Sequence, residues 1–452
     1  MEVRSRELEG RTLLGLVAAE RGHDVLIGEF DHLLSHRHWL PPGLFHDTTL
    51  TPAPYRLQHH AALREAGFLI TSQDEEHGLT DASLDEFVTR RYSDLTLGRA
   101  DAAFTWGAKD AAAVTHAHPT HAGRVVASGS PRADLWRPDM GGFYADLPLP
   151  GVRDGQPFLL VSTNLAPAAM NRFWVQMRDL RPVAFAGTDD PEEFENYARA
   201  AREHLQAGRL VRAIRRLARE RPDVLVVVRP HPMEAEGAWD DLIGPVDNVL
   251  VTREAPIGRW IRRAVALVHV RSTSAYEAAV AGVPVIAFPP PEDGSDVPVD
   301  RVGAVAHSED DLVALVDRAR DPGARATWAA DAAPELRGLF AAVDGALAAD
   351  RIVDVWDGLT VERQRPLRDP RVALAQARGH RAAGAARTAV RRMRERSLRV
   401  PKGGRFETAY KFPPLTRTVV DPVVAGHRVA LGRFADVRVR IIGPRLLHLR
   451  RG

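Results

Sequence analysis

The sequence predicts an α/β fold of two Rossmann-like domains facing a cleft, followed by a basic C-terminal appendage. Helix-like and strand-like stretches alternate through most of residues 1–300, the pattern of parallel sheets covered by helices. All-apolar runs such as Val224-Leu225-Val226-Val227-Val228 read as strands buried on both faces. A Pro/Gly-rich stretch, Leu147-Pro148-Leu149-Pro150-Gly151, interrupts the alternation, which then starts again. At 452 residues the chain exceeds one compact core, and its 45% hydrophobic and 27% charged content suits folded domains.

Apolar residues at helical spacing over 8–21 (Leu13, Leu16, Val17) predict a first helix, with Gly22 as its stop and residues 25–28 as a short strand. A Rossmann unit usually begins with a strand, and this chain opens on the helix, so its start is late or its first strand is absent. Residues 61–66 read as helix, 67–71 as strand and 125–129 as another strand. In the second series, strands are expected over 158–162, 224–228, 248–251, 266–270 and 283–287. Helices are expected over 194–220, near Trp260 and over 274–281. Residues 377–399 are Ala/Arg-rich and read as helix, and 437–441 alternate like an exposed strand. The domains are thus 1–148, 149–360 and a basic segment over 361–452.

No run of eighteen apolar residues is present, and the charged start lacks the apolar core of a signal peptide. There are no cysteines, which excludes disulfides, thiolate zinc sites and a Cys nucleophile, and suits a reducing cytoplasm. The net charge of +2 conceals an asymmetry: residues 361–452 carry 23 basic and 6 acidic side chains, against 38 basic and 53 acidic in 1–360. A basic tail on an acidic body points to an anionic surface, either membrane lipid or nucleic acid. Only Phe406, Tyr410, Phe412 and Phe434 are aromatic in that tail, which argues against nucleic acid. The expected location is cytoplasmic, peripheral on the inner face of the plasma membrane.

Ligands of open α/β sheets bind beyond the carboxyl ends of strands, where strand order reverses. Three sets of residues follow predicted strands directly. Arg229-Pro230-His231-Pro232 places a guanidinium and an imidazole on a stiffened turn, where they could meet a phosphate. Ser272-Thr273-Ser274 opens a helix whose free N–H groups and hydroxyls suit a diphosphate, with Glu277 one turn on for a ribose hydroxyl; plain N-capping by Ser272 or Thr273 is the competing reading. Asp74-Glu75-Glu76, ahead of His77-Gly78, crowds carboxylates so that one pKa should rise toward that of a general base. Asp74, nearest the strand, is the preferred catalytic residue. Asn164 and Arg132 also fall where a cleft would lie. His59-His60 and His116, His118 and His121 lack the partners of a metal site, so no metal is expected. No Walker A, Gly-x-Ser-x-Gly or Gly-x-Gly-x-x-Gly pattern is present, which argues against NTPases, α/β-hydrolases and dehydrogenases.

Together these residues resemble the bacterial surface carbohydrate biosynthesis proteins, transferases of the two-domain GT-B type. The resemblance covers most of residues 4–300. It rests on Arg4-Ser5-Arg6-Glu7-Leu8, the run from Glu20 to Gly28, Leu40-Pro41-Pro42-Gly43, Asp74-Glu75-Glu76, Trp106-Gly107 and Gly129-Ser130-Pro131-Arg132-Ala133-Asp134. Further on it rests on the strand to Asn164, Arg229-Pro230-His231-Pro232 with Glu234, and the Ser272 to Glu277 turn. The acidic and His-Pro pair is also similar to bacterial sialyltransferases and Kdo transferases, which use CMP-activated ulosonic acids. That likeness implies His231 and Ser272–Ser274 on the donor phosphate and a carboxylate of 74–76 on the acceptor. The expected function is therefore metal-independent glycosyl transfer from a nucleotide sugar to a glycan or lipid-linked acceptor, with no cofactor. CDP-glycerol-type phosphotransfer and nucleotide-sugar epimerisation are the enzymatic alternatives. A non-catalytic assembly scaffold and a nucleic-acid-binding protein are the others.

Overall fold

The computed structural model describes residues 1–75, 84–144, 147–165, 191–231, 234, 237–290, 297–321, 323–359, 382, 386 and 412–452. The chain forms two compact units: Met1–Gly78, Ser83–Leu135 and Gly338–Gly452 make the first, and Leu79–Ala82 and Trp136–Arg337 the second. Sequence pattern sets the boundaries after 148 and 360, whereas the chain changes unit after 135 and again after 337.

The first unit opens on the helix Arg4–Glu20. Leu13, Leu16 and Val17 are wholly buried, as their spacing requires. The Glu7 carboxylate accepts the N–H groups of Glu2 (3.1 Å) and Val3 (2.9 Å), closing the helix start although Val3 has no capping side chain. Gly22, at φ +96°, ends it. Gly10 lies inside the helix because a Cβ there would come within 2.9 Å of the Arg132 backbone nitrogen.

β1 (Val25–Gly28) follows, but it does not join the parallel sheet. That sheet holds β2 (Leu44–Asp47), β3 (Leu69–Gln73), β4 (Ala102–Thr105) and β5 (Val125–Ala127), paired in parallel in chain order. β1 instead pairs antiparallel with the end of the chain, as described next.

In the second unit, β6 (Phe158–Ser162), β7 (Leu225–Arg229), β8 (Val249–Val251), β9 (Leu267–His269), β10 (Val285–Ala287) and β11 (Ala304–Val305) form one parallel sheet in the order β11-β10-β9-β6-β7-β8. The chain runs outward from β6 to β8, then returns to β9 beside β6, so strand order reverses between β6 and β9. β6 and β7 are buried throughout and apolar up to their last residues, Ser162 and Arg229, as strands inside a parallel sheet should be. Their core includes Leu159, Val161, Val226, Val228, Val268 and Ile286, packed against Leu210, Ile214 and Leu217 of the helix Pro191–Glu220.

After 337 the chain returns to the first unit. Ala341 N–H donates to the Trp106 carbonyl (2.8 Å), and Asp134 caps the helix Ala348–Asp357 by accepting from Ala348 N–H (2.8 Å) and Ala349 N–H (3.0 Å). Residues 412–452 also belong to this unit and correct the expectation of a separate appendage. The helix Arg417–Leu431 leads into β12 (Val437–Gly443) and β13 (Leu446–Arg451), a hairpin whose second strand pairs with β1. Val420, Phe434, Leu447 and Leu449 share a core with Leu13, Leu16 and Ile27. Arg433 binds Glu20 (2.6 Å) and Asp350 (2.9 Å), joining the end of the chain to both helices. Residues 361–411, apart from 382 and 386, lie outside the described residues, and with them the predicted helix over 377–399. Among the described residues no helix is long and apolar enough to cross a membrane.

Candidate functional site

The reversal between β6 and β9 gathers most of the predicted donor-side residues of the second unit. Ser162 ends β6, and its hydroxyl lies 3.2 Å from that of Ser272 beyond β9. Ser272 Oγ is also 2.9 Å from Ser274 Oγ, so three hydroxyls form a chain at the switch point. Asn164 donates through Nδ2 to the Arg271 carbonyl (2.8 Å), tying the β6 loop to the β9 loop. Arg271 holds φ +48°, a left-handed conformation costing about 1 kcal/mol or more for a residue with a Cβ.

Competition from capping is weak here. Thr273 occupies the N-cap of the helix Ser274–Val280 without a side-chain cap bond and is exposed, and Ser274 N–H reaches Ser272 Oγ only at 3.4 Å. Below this turn lies His269, to which the sequence pattern assigns no role. Its imidazole is fully buried, and burial lowers its pKa to about 3, so it is neutral. Nδ1 accepts Ser272 N–H (3.4 Å), which fixes the Nε2–H tautomer under the hydroxyl turn.

His231 follows β7 at the next strand end. Its N–H is shared between Thr163 Oγ1 (3.1 Å) and Glu234 Oε2 (2.9 Å). Glu234, itself buried, also accepts from Thr163 Oγ1 (2.5 Å), Leu165 N–H (2.8 Å) and Trp239 Nε1 (2.8 Å). Arg253 Nη2 donates to the Glu234 carbonyl (2.8 Å). One carboxylate thus sets the path of the β6 and β7 loops together. Burial, reinforced by Arg253 and opposed by Glu234, keeps His231 below the ordinary imidazole range. A neutral imidazole at this position can donate one hydrogen bond, and can gain a proton when an anion arrives. Pro232 lies outside the described residues.

Arg229 has a different place from the phosphate contact expected of it. Its guanidinium donates to the carbonyls of Thr252 (3.1 Å), Glu254 (2.6 Å) and Ala255 (2.8 Å) and lies over the Trp260 ring at 5.5 Å. Burial, with Arg253 nearby, lowers it to about 10, still cationic at neutral pH. Its role is to hold the loop after β8, where Ala255 adopts φ +61°. Glu277 is buried in the helix after β9, and its Oε1 would lie 2.6 Å from a Cβ on Gly258, beside the Tyr144 hydroxyl. A glycine at 258 is therefore what gives this carboxylate its room.

In the first unit, Asp74 and Glu75 follow β3, while Glu76 lies outside the described residues. Asp74 accepts from Thr49 Oγ1 (2.8 Å), lies 3.6 Å from Arg91 Nη1, and its carbonyl accepts from Trp106 Nε1 (2.8 Å). Glu75 instead meets Arg11 Nη2 at 2.8 Å, and its Oε2 is buried with no hydrogen-bond partner among the described residues. Burial raises the Glu75 pKa most; Glu7 adds to the rise, and Arg11, Arg132 and Arg6 oppose it. The raised carboxylate expected from charge crowding thus exists, with desolvation as its main cause. Arg132 acts here through its field on Glu75 and through its backbone, which packs on Gly10. Gln73 Oε1 on β3 and His46 Nε2 on β2 are also buried without partners among the described residues, so these two strands hold several uncommitted polar atoms. Among the described residues no group of three or more His, Asp or Glu could hold a metal ion. His60 and His118 instead pair with Asp47 (2.8 Å) and Asp94 (2.9 Å).

No protein-family model matches the chain, and no curated protein matches it either. Solved structures similar to it include MnaA of S. aureus with UDP, at 15% identity and TM-score 0.44, covering 74% of this chain and 80% of that one. A UDP-GlcNAc 2-epimerase from Neisseria meningitidis bound to UDP-GlcNAc is similar at 13% identity and TM-score 0.41, covering 70% and 76%. The wall teichoic acid polymerase TagF is similar at 11% identity and TM-score 0.38, covering 59% of each chain. At such identities one fold serves many activities, so function has to be argued from the site. The α/β class itself follows from the two parallel sheets.

Proposed function

We propose that the chain is a glycosyltransferase that takes a nucleotide sugar at the β6–β9 reversal of its second unit. The observation that carries this reading is the set Ser162, Asn164, His231, Ser272 and Ser274, held together at the carboxyl ends of three strands around the point where strand order reverses. Hydroxyl groups and a neutral imidazole suit a phosphate that gains charge as the sugar leaves. The three hydroxyls are already linked in a chain, so little reorganisation is needed at that moment. Glu277, in the first turn of the following helix, is the carboxylate for a ribose hydroxyl. Transfer joins the acceptor oxygen to the sugar carbon as the sugar–phosphate bond breaks toward the nucleotide and the hydroxyl proton leaves to a base. Within the first unit, Glu75 has the character of such a base. A raised pKa makes Glu75 a stronger base than an ordinary carboxylate.

Titration with UDP, CDP and CMP, followed by product analysis with the matching sugar nucleotides, tests the reading. Binding of one nucleotide that weakens in Ser272→Ala, together with a new glycosidic bond, supports it. A CMP-sugar giving the best turnover would select the ulosonic-acid donor class. Epimerised donor formed without any acceptor, or no nucleotide binding at millimolar concentration, refutes glycosyl transfer.

A further inference from the structure

The antiparallel sheet formed by β1, β13 and β12 has one apolar face and one charged face. Val437, Leu447 and Leu449 point into the core of the first unit. On the opposite face the register sets Arg438 opposite Arg450 and Arg440 opposite His448. Arg438, Arg440 and Arg450 are exposed, and none forms an ion pair among the described residues. His448 pairs with Asp24 (2.6 Å). Like charges directly opposite each other destabilise a strand pair, so Arg438 and Arg450 work against folding where they stand. β12 is also an edge strand, and Ile442 on it is 52% exposed. The only aromatic residues of 412–452, Phe412 and Phe434, are buried.

We propose that this face docks on an anionic lipid surface. Three guanidinium groups without an ion pair among the described residues, beside an exposed aliphatic side chain, fit a layer of anionic headgroups above acyl chains. The guanidinium groups bind lipid phosphates, and Ile442 reaches the boundary beneath them. Nucleic acid is the lesser fit: among the described residues the only ring on this face is the His448 imidazole, and Asp24 holds it. The surface consists of folded residues and does not include 361–411. The inference is independent of the glycosyltransferase reading.

Flotation of the full chain with phosphatidylglycerol and phosphatidylcholine vesicles tests it, alongside R438E/R440E/R450E and R438K/R440K/R450K variants. Each basic residue near an anionic surface contributes about a fivefold factor, so the triple reversal should lower affinity by about a hundredfold or more. The wild type should bind phosphatidylglycerol vesicles at low salt, lose binding as salt rises, and ignore phosphatidylcholine. The lysine variant should bind like the wild type, and matching melting curves would show all three folded. No binding by the wild type, or equal binding by the wild type and the glutamate variant, would overturn the proposal. So would affinity for a single-stranded oligonucleotide that matches or exceeds that for the vesicles.

Discussion

Replacing Glu234 with glutamine should destabilise the second unit more than any other isosteric change near the switch point. The carboxylate accepts four hydrogen bonds: Leu165 N–H at Oε1, and His231 N–H, Thr163 Oγ1 and Trp239 Nε1 at Oε2. Glutamine keeps one acceptor oxygen. If that oxygen takes the three donors, the amide NH2 faces Leu165 N–H, donor against donor, inside a buried loop. One charge-assisted bond is then lost with its donor unsatisfied, and three more weaken toward neutral strength, about 3–5 kcal/mol in all. In a unit of this size each kcal/mol moves the melting temperature by about 2–4 °C, so a fall of roughly 6–20 °C is expected. Nucleotide affinity should fall as well, because the same carboxylate positions His231. Calorimetry would measure the melt, and amide exchange at Leu165 would report the local loss. A melt within about 2 °C of the wild type with Leu165 still protected would refute the idea that Glu234 organises these loops.

His231→Ala should weaken binding of the nucleotide product by about ten- to a hundredfold, as measured by calorimetry, because it removes a donor that becomes charge-assisted against phosphate. Glu75→Gln should lower turnover by about a hundredfold while sparing nucleotide affinity. Because folding raises the Glu75 pKa, its contribution to stability is full below the unfolded value and is lost as pH rises through the folded one. Urea melts should therefore show a flatter fall in stability from acid to neutral pH for Glu75→Gln than for the wild type. Gly10→Ala should destabilise by about 1–3 kcal/mol in the same melts, since crowding against the Arg132 backbone outweighs the better helix propensity of alanine. Ending the chain at residue 360 should give an insoluble product, because it uncovers Leu13, Leu16 and Ile27; a soluble, cooperatively melting 1–360 would refute the joint core.

Local pattern made the second unit legible. The predicted strands over 158–162 and 224–228 recur as β6 and β7 with at most a one-residue shift, because unbroken apolar runs have few other ways to be buried. The first unit was less legible. Val25–Gly28 does form a strand, yet its partner is Leu446–Arg451, and no short-range pattern records a pairing between the two ends of a chain. Alternation in 437–441 showed that one face is exposed, but not which core takes the other. The Pro/Gly-rich stretch at 147–151 reads as a boundary because it interrupts the alternation, whereas the crossing after 135 leaves no such mark.

Within the candidate site, residue type located the positions better than it assigned their roles. Arg229, His231 and Glu234 lie at the end of one strand, and from sequence Arg229 and His231 could each meet a phosphate or orient something that does. Burial and partners separate them. Arg229 donates to three carbonyls and Glu234 accepts four donors, so both are committed to shaping loops. The same division holds in the first unit, where Asp74 binds Thr49 and Glu75 keeps an unpartnered oxygen. Proximity to the strand end favoured Asp74 because position is best fixed there. A fixed position is also where a carboxylate finds partners, and a partnered carboxylate is the weaker base. Glu75, one residue further on, is buried beside Arg11 yet under-coordinated. Burial outweighs the pull of Arg11 and stabilises the neutral form, and so equips Glu75 to take a proton.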